Sequence, residues 1–142
     1  MKTKSETKRM TNGPAIFLHT FELTKEIYGV TRNFPRPTRF VLGDKIDSLM
    51  TEFLLSLNSS TSKRADIKNY SHRHKTFTDL SFKLDELRIL LRLAFEIKVI
   101  SIGYYNNLLE RVDQIGRELG GLIKYNLKQM EIAGGNPARR GK

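Results

Sequence analysis

The chain has no cysteine and no tryptophan, only 4 prolines among 142 residues, and no long uninterrupted apolar run. Without cysteine there is no disulfide framework, no thiolate nucleophile and no zinc-thiolate site, a composition compatible with a reducing cytoplasm. The scarcity of proline goes with apolar residues at helical spacing, and no stretch alternates strictly between turn signals as a strand would. The most apolar segment, Leu84 to Val99, is interrupted by Arg88, Arg92, Glu96 and Lys98, so it cannot supply the ~18 to 20 apolar residues of a membrane span. The first residues are charged and no apolar stretch follows directly, so no secretory signal is read there. These absences leave a helical protein expected in the cytoplasm, away from membranes.

The 39% hydrophobic content suffices for one core, and the length suits one domain. The formal charge of +10 is unevenly spread. Lys2, Lys4, Lys8 and Arg9 face only Glu6 at the start, Arg139, Arg140 and Lys142 are unopposed at the end, and Lys63, Arg64, Lys68, Arg73 and Lys75 face only Asp66 in between. A polyanion would meet two basic arms and one basic patch, which suits attraction to a phosphate backbone without base readout. Basic ends also serve plain solubility, and the sequence leaves both readings open.

Residues 1–12 are polar and charged and are expected to be a disordered arm. Gly13 and Pro14 open a first helix from about Ala15 to Thr31, with Ile16, His19, Leu23, Ile27 and Val30 at three- and four-residue steps. His19 has no second histidine one turn away, so it reads as a surface or core-edge residue. Pro35 and Pro37 in FPRPTRF end the helix, Thr38 is expected to cap the next, and Phe34 and Phe40 are expected to fold inward. That leaves Arg36 and Arg39 projecting at a helix start, free for phosphate or paired with Glu22 or Glu26.

A second helix runs to about Ser59 through Leu42, Ile46, Leu49, Met50, Phe53 and Leu57. After the polar break at residues 58–62, a third begins between Arg64 and Tyr70 and continues to about Ile100. On it, Leu87, Leu90, Leu93, Ala94 and Ile97 are expected to face the core, while Leu84, Phe95 and Val99 line up with Arg88 and Arg92 on a second apolar strip. Either the arginine stems snorkel over a solvated strip, or the strip is an interface in which arginine is a favoured anchor. A fourth helix begins at Ile102 and carries Tyr105, Leu108, Leu109, Val112, Ile115, Leu119, Ile123, Leu127 and Met130. Gly116 and Gly120, one turn apart, imply close approach by another helix or a weak helix. The expected architecture is an all-α antiparallel four-helix bundle over residues 13–133, with a disordered basic tail at 134–142.

Catalysis leaves no trace. No nucleophile stands with a base, His72 and His74 are two residues apart and point to different sides of a helix, and the acids read as solvated helix charges, Asp85 beside Arg88 and Glu118 beside Arg117. Neither metal nor cofactor is expected.

FPRPTRFVLGDKI after a first helix, then LDELRILLRLAFEI, then IGRELGGLIK, together resemble the Avd family, the accessory variability determinants of diversity-generating retroelements. They also resemble the similar bundles encoded in intervening sequences of bacterial 23S ribosomal RNA genes. The resemblance covers roughly Ile16 to Lys128. It implies a four-helix bundle assembled as a ring-like pentamer, noncatalytic, bound to RNA or DNA and to a reverse transcriptase during mutagenic copying. It further implies partner contact at Arg88 and Arg92, and Phe95 joins them as a partner or subunit contact through its place on the same apolar strip. Arg36 and Arg39 of the basic corner and Arg117 of the glycine motif would contact nucleic acid, and Arg64, Lys68, Arg73 and Lys75 join them as the basic patch. One departure is Leu122, where relatives often carry tryptophan. A ribosomal intervening-sequence relative, acting as a structural oligomer or a general RNA-binding module, would share the same bundle.

Overall fold

The computed structural model describes residues 15–61 and 69–134, and among these every regular element is helical. Helix α1 spans Ala15–Thr31. Helix α2 starts at Arg36, passes through a π-helical turn at Arg39–Gly43 and continues as Asp44–Thr61. Helices α3 and α4 span Tyr70–Glu96 and Ile102–Gly134. Each packs on its chain neighbours and α4 closes back onto α1, which makes an antiparallel four-helix bundle. The basic arm, Arg64, Lys68 and the tail after Gly134 lie outside the described residues, and α4 runs one residue past the expected end of the bundle.

Alternating steps of three and four residues build the core. Ile16, Thr20, Leu23 and Ile27 in α1, Ile46, Met50, Phe53 and Leu57 in α2, Phe77, Leu80, Leu84, Leu87, Leu91 and Ala94 in α3, and Leu108, Val112, Ile115 and Leu119 in α4 are all buried. That spacing presents one seam to the bundle axis, as in coiled coils. Burying a large apolar side chain is worth roughly 1.5–3 kcal/mol, whereas exposed ion pairs contribute ~0–1 kcal/mol. The seam therefore holds the bundle together.

The helix ends explain where the chain turns. Asn69 caps α3 by accepting from the His72 backbone N–H at 3.2 Å, and Asn126 of α4 donates Nδ2–H to the Tyr70 carbonyl at 2.8 Å. At the other end of α3, the Lys98 N–H reaches the Phe95 carbonyl at 2.9 Å and the Val99 N–H reaches that of Ala94 at 3.0 Å. These two bonds form a Schellman stop, with Lys98 in the left-handed conformation at φ 68°. Lysine therefore stands where glycine is usual, and α3 ends at Glu96 instead of continuing to Ile100.

Two further expectations are corrected. The first concerns α3. Leu84 is a seam residue, and Phe95 and Val99 pack against the core, while Leu93 and Ile97 face out. The seam set by Phe77 and Leu80 fixes this phase, and Ile97 already lies beyond the helix. The second concerns the corner. Phe34 is buried, but Phe40 is 61% exposed, and Thr38 makes no side-chain cap because the helix has already begun at Arg36 behind Pro35. A regular α-helix extended back from Ile46 would turn Arg39 toward the seam; the wider π-turn keeps Leu42 inside and rotates Arg39 and Phe40 outward.

Candidate nucleic-acid and partner interfaces

Arg88 is held inside its own chain. Its guanidinium lies 2.8 Å from an Asp85 carboxylate oxygen on α3 and 3.1 Å from Asp113 on α4, and Nη2 is 3.0 Å from where a Cβ on Gly116 would sit. The glycine does answer to a close approach, but by an arginine head and not by a helix backbone. A Cβ on Gly120 would meet nothing within 4 Å. Arg92 donates Nε–H to Glu96 at 2.8 Å, a bond that raises its already high pKa. Phe95 stacks on Tyr105 with ring centroids 4.8 Å apart. Of the three expected interface residues, Arg92 is exposed, and Arg88 and Phe95 join α3 to α4.

The apolar strip on the outside of α3 consists of other residues. Phe82 and Ile89 are 61% and 67% exposed, and Leu93 lies one turn further along. Their spacing of seven and four residues places them on one line opposite the seam. That spacing was the available signal, and it emerges once Phe77 and Leu80 set the phase.

The basic residues divide into two kinds. Arg111 pairs with Glu26, Lys25 with Glu22, Lys83 with Glu52, and Arg88 and Arg92 as above. Glu22 and Glu26 are thus taken, and Arg36 and Arg39 pair with neither. Among the described residues Arg32, Arg36, Arg39, Lys45, Lys75, Lys98, Arg117, Lys124 and Lys128 are in no ion pair, and all are exposed. Arg73 is half-buried and lines a polar cavity of about 410 Å³ with Ser59, Ser60, Asn69 and His72.

Because α2 and α3 are antiparallel, Arg36 and Arg39 lie at one end of the bundle, and Arg73 and Lys75 at the other. Arg117 sits between them on α4. Glu118 is not a free surface acid, since it meets His19 Nδ1 of α1 at 2.7 Å. Arg32, Lys124 and Lys128 were missed by sequence reading, because unpaired cations can be told from paired ones only when the neighbouring helices are in place.

At the Arg36 corner, Asp47 accepts the Thr31 hydroxyl at 2.8 and 3.1 Å. Burial raises the Asp47 pKa above the usual carboxylate value, against the opposing pull of the Thr31 hydrogen bond, Arg32 and Arg39. A carboxyl raised in the fold holds its proton more tightly there, so its contribution is full in acid and is lost as pH rises through the folded value. Asp47→Asn still accepts from Thr31. Urea unfolding should give it wild-type stability near about pH 3 and greater stability near about pH 7; a variant weaker than wild type at neutral pH would contradict this.

Among the described residues no group of histidine, aspartate and glutamate is placed to hold a metal, and no helix is long and apolar enough to cross a membrane. The fold and its surface define a small antiparallel four-helix bundle with an exposed apolar strip and exposed cations outside any ion pair. The sequence matches the bAvd-like family over residues 17–126, and the chain belongs to that family. No curated protein matches it in sequence.

Proposed function

We propose that this chain is a noncatalytic accessory protein of a diversity-generating retroelement, holding RNA or DNA by charge and docking a reverse transcriptase during mutagenic retrohoming. The observation that carries this reading is the division of the cations: Arg88, Arg92 and Arg111 are neutralised within the chain, while Arg32, Arg36, Arg39, Arg117, Lys124 and Lys128 stand exposed outside any ion pair and are left for a polyanion. Membership of the bAvd-like family supports the retroelement reading. The Phe82, Ile89 and Leu93 strip, flanked by Arg92, is the surface offered to a neighbouring copy in a homopentamer or to the polymerase, since aromatic, apolar and arginine side chains are favoured at such contacts. In this reading the protein acts in the cytoplasm, with which a chain without cysteine is compatible.

The test is co-purification with the retroelement's reverse transcriptase after nuclease treatment, in about 0.5 M salt, where charge-only bridging is screened. Wild type should retain the polymerase and Ile89→Glu should lose it while keeping its helical signal. A polymerase that washes away from wild type, or one that a folded Ile89→Glu retains, would count against docking through this strip.

A further inference from the structure

The corner between α1 and α2 combines three features in one short stretch. Arg32, Arg36 and Arg39 are exposed and in no ion pair among the described residues. Phe40, one turn after Arg36 on the helix, stands out into solvent and is 61% exposed. The corner is also firmly built. Phe34 is buried beneath it, the Arg39 N–H is bonded to the Pro35 carbonyl at 2.8 Å, and the Arg39 stem lies 3.7 Å from the position of a Cβ on Gly43. The aromatic ring is therefore carried on a fixed platform, with cations before and beside it.

We infer that Phe40, with Arg32, Arg36 and Arg39, forms a contact for single-stranded nucleic acid, the ring stacking on an unpaired base while the guanidinium groups hold the flanking phosphates. The inference rests on the nucleic-acid reading above and adds to it the strand class and the stacking residue. A base in a duplex has both faces covered by its neighbours, so an exposed ring gains a partner only where bases are unstacked. Aromatic rings within a basic surface are how sequence-tolerant single-strand binders work. A protein partner suits the corner less well. Val41 is the only other large apolar side chain exposed on this turn, and the two side chains fall far short of the ~800 Å² per partner that a stable interface buries. Asp44 and Asp47 share the corner. Asp47 is engaged by the Thr31 hydroxyl, and the two acids leave a net positive charge against the three arginines and Lys45.

The experiment compares Phe40→Ala, Phe40→Trp and wild type, as the full chain, for binding of a fluorescent oligouridylate of about 15 nucleotides and a mixed-sequence RNA duplex of equal length. Phe40 is exposed, so Phe40→Ala should fold normally, and circular dichroism checks this. Phe40→Ala should weaken the single strand about tenfold, leave the duplex within about twofold, and be rescued by Phe40→Trp. An unchanged single-strand affinity, or an equal loss on both probes, would overturn the inference. So would a loss of self-association or polymerase binding with single-strand affinity intact, which would make the corner a protein contact. A wild-type chain that binds neither probe refutes the nucleic-acid reading itself, whereas one that binds both with Phe40→Ala silent refutes only this contact.

Discussion

Raising the salt concentration from about 50 to about 200 mM should weaken binding of mixed-sequence RNA by two to three orders of magnitude. Each phosphate neutralised by a lysine or arginine releases condensed counterions, and roughly six such contacts cost ~10³ in affinity over that range. The chain can supply them, since the described exposed cations outside ion pairs include Arg32, Arg36, Arg39, Lys75, Arg117, Lys124 and Lys128. Arg88, Arg92 and Arg111 should contribute little to the slope, because each already faces a carboxylate of its own chain. Replacing Lys124 and Lys128 by glutamine should make the slope shallower by about one to two. An affinity that hardly moves with salt would remove charge as the basis of binding.

Phe53→Ala should cost about 3–5 kcal/mol, the usual range for emptying a buried phenylalanine site. Phe53 is 1% exposed, and its helix packs on both α1 and α3, so a cavity there loosens two of the four helix contacts at once. Against a total stability of ~5–15 kcal/mol for a domain of this kind, the loss should be plain in urea unfolding followed by circular dichroism. A cost below about 1 kcal/mol would mean that the α2 seam does not face the core.

Much of the fold was legible because heptad spacing is a local property. The bounds of α1 follow from Pro14, the corner prolines and the steps from Ile16 to Ile27, and the α2 seam follows from Ile46, Met50, Phe53 and Leu57. The outer face of α3 was not legible from Leu84 to Val99 alone. Apolar residues stand at so many positions there that more than one stripe can be drawn, and only the sparser upstream residues Phe77 and Leu80 choose between them. The end of α3 was hidden because Lys98 adopts a conformation that glycine normally announces. The outward turn of Phe40 was hidden because a π-turn changes the phase without a marker in the residue types.

The site was legible in part. The pairing of Arg88 with Asp85 could be read from a three-residue spacing, and that of His19 with Glu118 could not, since the two are 99 positions apart. For the same reason Arg36 and Arg39 could not be cleared of Glu22 and Glu26 until Lys25 and Arg111 were seen to occupy those acids.

We propose that one bundle leaves the outer strip of α3 unfinished until a neighbouring copy of the chain covers it. The mass of the nuclease-treated chain by light scattering tests this most directly. We predict a closed assembly at five times the 16.4 kDa chain for wild type, and a single helical chain for Ile89→Glu. A wild-type protein that remains a single chain at all concentrations, with Phe82 and Ile89 in water, would contradict it.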